Sequence, residues 1–291
     1  MKLKGVKMWK QAFMCVKVIL LSVFAAFFSS SSIAQVSVHT QENTRIMTKP
    51  SVLTIYQLQA DWADILQSYT HVDNDGLVRV DYAALSHSKT DMQRLGDYIM
   101  AQSLENPSQL SRTEAMAYWA NLYNALTLQV VAQNYPVNSI REIKSGRRKG
   151  PWKRKLVIVE GQSLSLDNIE HDILRPRFKT PLVHYMVNCA SIGCPNLRQQ
   201  PWQAQTLEVD LETAARAYIN SPRGVRIENG KIHVSKIYKW FKADFGSSKT
   251  NVLKHLKQYA APELRTHLDA RAKIDHYGYD WSLNNFHDKT P

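Results

Sequence analysis

The strongest periodic pattern in the chain runs from Ser111 to Pro136. Trp119, Leu122, Leu126 and Val130 recur at helical spacing and predict one buried stripe of a long helix. Ser111 and Glu114 form an S-x-x-E capping box at its start, and Pro136 marks its end. An earlier helix is predicted around Trp62–Tyr69. HVDNDGLVRVDY, which follows it, resembles half a calcium loop, but with Asp73 first, Gly76 falls at position four and Ala84 where the bidentate acid belongs. A turn into a short strand is the better reading. KLVIVEG (155–161) and LVHYMVN (182–188) read as buried strands, and Ser165 as the cap of a short helix, LDNIEHDILR, closed by Pro176. LEVDLETAARAYIN is an amphipathic helix, VRIE-NG-KIHV a hairpin with a type I′ turn at Asn229-Gly230, and KIYKWFKADF and VLKHLKQYA further helices. These elements predict an α+β (mixed α/β) fold, a helix-rich single domain with a small sheet containing at least one β-hairpin.

The first 34 residues stand apart from that pattern. Lys2, Lys4, Lys7 and Lys10 precede the apolar run VILLSVFAAFF, and Ser32 and Ala34 supply the small residues of a cleavage site. This predicts a signal peptide cut after Ala34, a flexible polar arm over 35–54, a globular domain over 55–285, and a periplasmic or secreted protein without a transmembrane segment after cleavage. The leader holds five lysines and no acid, so the net charge of +12 becomes +7 without it. The excess is concentrated in KSGRRKGPWKRK (144–155), where Arg147 and Arg148 sit among seven basic residues and no acid. Such a run is either a solvated loop or a lip that attracts a small anionic or peptide-like ligand. Nucleic acid is excluded as a partner by export and by the absence of a groove-reading motif.

Cys15 lies in the leader, which leaves Cys189 and Cys194 in HYMVNCASIGCPNL (184–197). Read as a strand, this segment places His184 and Asn188 on one face and Cys189 on the other. Gly193 permits a positive φ, and Pro195 can open a new element. Three chemistries fit. A disulfide would fix the turn, contributing about 2 kcal/mol through chain entropy, and an oxidising compartment favours it. Alternatively Cys194, activated at a helix N-terminus, is a nucleophile with His184 as base and an asparagine as orienter or oxyanion donor. A metal held by both sulfurs with His184 and His171 is the third, although C-x4-C with scattered histidines is a weak signature.

Asn121 and Asn124 lie three apart beside the apolar stripe, where a buried amide must be fully hydrogen-bonded. They either lock a neighbouring backbone or line a site. Glu170 and His171 are neighbours on a short helix and diverge by about 100°, so they are not expected to form a pair.

AYWANLYNALT, SLSLDNIEHDILR, VHYMVNCASIGCPNL, SKIYKWFKADFG and YGYDWSLN together resemble the "domain of unknown function 547" family, in the CASIGCPNL form of its exported bacterial branch. The resemblance spans about residues 55–285. It implies that Asn121, Asn124, Glu170, His171, His184, Cys189, Cys194 and Pro195 occupy motif positions, and it implies no activity. Two functions follow from the residues. One is a cysteine/histidine-dependent hydrolase or acyl-transferase with Cys194, His184 and Asn121 as its catalytic set. The other is a non-catalytic periplasmic binding module with a structural Cys189–Cys194 disulfide. In either, Asn124, Asn188, Cys189, His171, Glu170, Arg147 and Arg148 are candidate binding residues, and neither a cofactor nor a metal is expected.

Overall fold

Helix α1 (Val52–Tyr69) begins inside the segment expected to be an arm, so residues 52–54 are helical. The computed structural model describes residues 52–147, 149–271 and 273–286, with side chains from residue 57 onward. The leader over 1–34, the arm as far as residue 51, and Arg148 lie outside the described residues. The calcium-like segment is a hairpin, β1 (Thr70–Val72) against β2 (Val78–Val80), with Thr70 opposite Val80. Its acids serve the turn: Asp73 and Asp75 both pair with Arg79. Asp81 and Ser88 then cap two successive helices, α2 (Tyr82–His87) and α3 (Lys89–Ser103), each accepting a backbone N–H three residues on.

Helix α4 (Arg112–Asn134) starts on the predicted capping box. Ser111 Oγ accepts from the Glu114 N–H, and Glu114 Oε2 accepts from the Ser111 N–H at 3.0 Å. The helix buries far more than one stripe, since every residue from Ala115 to Leu128 is buried. A helix covered on all sides is a core element, and small residues at 115, 117, 120 and 125 let its neighbours approach closely.

KLVIVEG contributes β3 (Val157–Val159), whose partner β4 (Gln162–Leu164) has little apolar signal of its own. Ser165 Oγ accepts the Asn168 N–H at 3.2 Å, as a cap should. The next turns are π-helical (Asn168–Leu174) and pass directly into α5 (Arg175–Phe178). Pro176 therefore does not close the helix; it occupies the first turn of α5, and the chain leaves the helix only at Lys179, in the left-handed region with φ 47°.

The largest departure from the predicted elements is at 182–188, where a 3₁₀ helix (Pro181–Tyr185) replaces the expected strand. Thr180 accepts the Leu182 N–H and Pro181 occupies the first helical position, a helix-start signature that outweighs the apolar alternation. No helix begins at Pro195 either, as residues 195–198 are irregular.

The remaining elements are α6 (Leu207–Ile219), β5 (Val225–Glu228), β6 (Lys231–Ser235), α7 (Ile237–Trp240), α8 (Lys249–Tyr259), α9 (Pro262–Ala270) and β7 (His276–Gly278). β5 and β6 form the predicted hairpin, with Glu228 opposite Lys231 and positive φ at both Asn229 and Gly230. β7 adds to β6 in parallel. The fold is thus a helix-rich α+β arrangement with three small sheets among the described residues. Two apolar cores flank the 3₁₀ helix: Val183 belongs to the one around α4, and Tyr185 to the one between α6, α8 and the three-stranded sheet. Among the described residues no helix is long and apolar enough to cross a membrane.

Candidate functional site

Three buried carboxamides hold the chain on either side of the cysteines. Asn121 on α4 grips one residue at both ends: its Oδ1 accepts the Trp202 N–H and its Nδ2 donates to the Trp202 carbonyl, each at 2.9 Å. Asn124, one helical turn on, donates to the Met186 carbonyl and accepts the Asn188 N–H, again at 2.9 Å. Asn188 closes the cysteine turn from within, accepting the Ala190 N–H at 2.8 Å and donating to the Pro195 carbonyl at 2.7 Å. These amides supply irregular backbone with the partners a sheet would otherwise provide. None of the three lines the pocket described below. Of the two roles read for the α4 asparagines, the geometry is that of backbone locks, and no asparagine among them contacts His184.

Within this brace, Cys189 and Cys194 are joined as a disulfide with their Cα atoms 6.3 Å apart. The positive φ in the turn falls at Ala190 (56°) and not at Gly193. Glycine is required at 193 for a different reason: a Cβ there would meet the backbone N and O of Asp280 at 2.9 Å, where the Gly193 N–H donates to the Asp280 carbonyl. The Tyr279 hydroxyl lies 3.1 Å from Cys189 Sγ, 3.2 Å from Cys194 Sγ and 2.8 Å from Ser191 Oγ. Burial, reinforced by Tyr218, pushes the Tyr279 phenol well above its ordinary value, so it remains a neutral hydroxyl beside the sulfurs.

The disulfide forms part of the wall of a pocket of about 180 Å³. Trp152, Trp240, Phe241, Tyr279 and Trp281 make most of its aromatic lining, while Asp167, Glu170 and His171 supply its acid–imidazole side. The rings are mutually packed: Tyr279 and Trp281 centroids are 4.7 Å apart, and Trp240 lies 4.8 Å from Tyr279 and 5.6 Å from Trp281. Trp152 reaches the cluster from the basic segment, 5.6 Å from Trp281, because Gly150 (φ 81°) leaves room for the indole to fold back. A Cβ at Gly150 would fall 1.8 Å from the Trp152 ring. The 144–155 run therefore gives the pocket a tryptophan, and Arg147 is exposed and not among the residues that line it.

Glu170 and His171 face the pocket together, contrary to the divergence expected of helical neighbours. His171 Nδ1 lies 3.9 Å from Glu170 Oε1, and its Nε2 lies 3.9 Å from Asp167 Oδ1. π-Helical winding advances less per residue than an α-helix, which draws consecutive side chains toward one side. Tyr123 on α4 donates to Glu170 Oε2 at 3.3 Å. Burial, with Glu170 close by, pushes the Tyr123 phenol well above its ordinary value and keeps it a donor.

His184 also lines the pocket, and its imidazole is paired with an acid. Nε2 is 2.8 Å from Asp244 Oδ2, and the ring stacks on Phe241 at 4.2 Å. Arg175 binds the same carboxylate through Nε at 2.6 Å and a second nitrogen at 3.2 Å. Burial alone would raise Asp244; the hydrogen bonds from His184 and Arg175 outweigh it and hold the carboxyl well below the usual range. The partner of His184 is thus an acid sixty residues away, in the SKIYKWFKADFG motif. Among the described residues no group of three or more His, Cys, Asp or Glu is placed to hold a metal ion.

Reasoning from residue types found the sulfurs, His184, His171 and Glu170, all of which line the pocket. It missed Asp167, Trp152, Trp240, Phe241, Tyr279, Trp281 and Asp244. Apart from Asp167 and Trp152, these sit in the two C-terminal motifs, SKIYKWFKADFG and YGYDWSLN, so the segments carried a signal that the residue types alone did not.

No curated protein and no solved structure matches the chain. Residues 107–219 match the model of a family described as "Protein of unknown function, DUF547", which supports the family that the five motifs resemble.

Proposed function

We propose that this chain is an exported, non-catalytic ligand-binding module whose site is the aromatic and acidic pocket beside the Cys189–Cys194 disulfide. The observation that carries this reading is that the nucleophile of the rival hydrolase mechanism is already bonded. The Cys194 sulfur is bonded to Cys189, which leaves His184, paired through Nε2 with Asp244, no thiol to deprotonate. A cysteine nucleophile needs a free thiolate with its base in hydrogen-bond reach. Concave, mostly apolar pockets with a few convergent polar groups are the usual form of small-ligand sites. Export through the signal peptide cut after Ala34, to the periplasm or the exterior, belongs to the same reading. The leader pattern supports it, as does the disulfide, which persists in oxidising compartments.

The test is thiol titration of the protein purified without reductant, followed by a fragment screen read by tryptophan fluorescence. Cys189 and Cys194 are expected to be unreactive until reduced, and fragments that perturb the fluorescence are expected to lose their effect in Trp240→Ala. Stoichiometric alkylation of Cys194 in the unreduced protein, or a screen without a single saturable response, overturns the reading.

A further inference from the structure

The pocket's charge runs against that of the whole chain. The sequence carries +12 overall, yet among the described residues the lining includes Asp167 and Glu170 and neither a lysine nor an arginine. The nearby cations are held outside it. Arg175 is bound to Asp244 and packs over Phe241 at 4.9 Å, and Arg141 packs over Trp281 at 5.2 Å; neither lines the pocket. Lys153 approaches Asp167 only to 4.0 Å, with a side chain 59% exposed, and a surface pair of that kind adds little. An anionic ligand, expected from the basic run, would meet the carboxylates of Asp167 and Glu170 in this pocket.

Aromatic faces bordered by acids are the environment that stabilises an organic cation, through ring quadrupoles and direct charge attraction. Phe241 and Trp281 already carry guanidinium groups over their rings in this fold. Size narrows the choice. A pocket of about 180 Å³ is close to the roughly 150 Å³ of a cavity that accepts benzene, so it accommodates a compact head group. We infer that the pocket takes an alkylated or primary ammonium head group, packed against Trp240, Tyr279 and Trp281 with Glu170 and Asp167 facing its charge. The inference rests on the binding-module reading and adds the ligand's chemical class.

Choline and its uncharged isostere 3,3-dimethylbutan-1-ol test it, titrated into the full chain and followed by tryptophan fluorescence. Trp152, Trp240 and Trp281 in the lining serve as reporters. Choline is expected to saturate, and the alcohol to bind at least about tenfold more weakly. Glu170→Gln keeps an acceptor for the Tyr123 hydroxyl; it is expected to weaken choline about tenfold and leave the alcohol unchanged. Asp167→Asn serves the same purpose if Glu170→Gln does not fold, as judged by circular dichroism. Equal binding of choline and the alcohol overturns the inference while leaving a ligand pocket in place. Indifference of choline to both charge-removing variants also overturns it. Absence of any saturable response to either compound overturns it, and counts against the pocket as a binding site.

Discussion

Asp244 Oδ2 lies 2.8 Å from His184 Nε2, and the same oxygen accepts from Arg175 Nε at 2.6 Å. One carboxylate in the turn after α7 thereby ties the 3₁₀ helix to α5. The arrangement fixes the imidazole flat against Phe241 and keeps Arg175 outside the pocket.

Asp244→Asn removes the charge that both partners face. At neutral pH it is expected to lower stability by about 1.5–3 kcal/mol, the range for hydrogen bonds to a charged group. Asp244 is held below its ordinary value of 3.8, so its contribution is complete above that value and is lost as pH falls through the lower, folded-state value. Urea melts from pH 5 downward should show the wild-type advantage over Asp244→Asn shrinking; a constant gap would mean that the carboxylate is not the stabilising group.

His255 gives a second pH dependence with the same sign. Burial, with His184 adding repulsion, lowers it to about 4, and its Nε2 is 2.8 Å from the Tyr185 hydroxyl. Between pH 6.5 and 4 the unfolded chain takes up a proton here that the folded chain refuses. The stabilisation from keeping the imidazole neutral is therefore full above pH 6.5 and lost on acidification, amounting to about 3 kcal/mol across the window. His255→Gln is expected to flatten this part of the stability–pH curve. Parallel curves for wild type and variant would contradict the assignment.

The carboxamide braces differ in how much they leave exposed when removed. Asn124→Ala orphans the Asn188 N–H, while the Met186 carbonyl retains the Trp202 indole N–H at 3.0 Å. Its expected cost is about 1–3 kcal/mol, that of one unsatisfied buried group. Asn121→Ala deprives both the N–H and the carbonyl of Trp202 of that side chain and is expected to cost about twice as much. Chemical denaturation of the two variants ranks them; the reverse order would show that the backbone relaxes more readily at Trp202 than at Asn188.

Elements specified by adjacent residues were legible before the structure was known. The Ser111–Glu114 box and the Asn229-Gly230 turn each place their chemistry within four residues, and both appear as predicted. At 182–188 two local signals competed. Alternating apolar residues suggested a strand, but Thr180-Pro181 started a helical turn whose burial comes from both cores. Five of the residues singled out from the sequence line the pocket, because histidine, cysteine and glutamate advertise chemistry. Sequence reasoning passed over the aromatic wall because tryptophan and tyrosine read equally well as core, and it passed over Asp244 because nothing local links that acid to His184.

The parallel pairing of β7 with β6 has a consequence for how the pocket is assembled. It returns the chain so that Tyr279 and Trp281 join the lining residues of the 107–219 segment, while Trp240 and Phe241 arrive from α7 and the residue after it. The lining is thus drawn from separate stretches of polypeptide. Because the Tyr279 hydroxyl also touches both sulfurs, a substitution there would alter the pocket wall and the surroundings of the disulfide together.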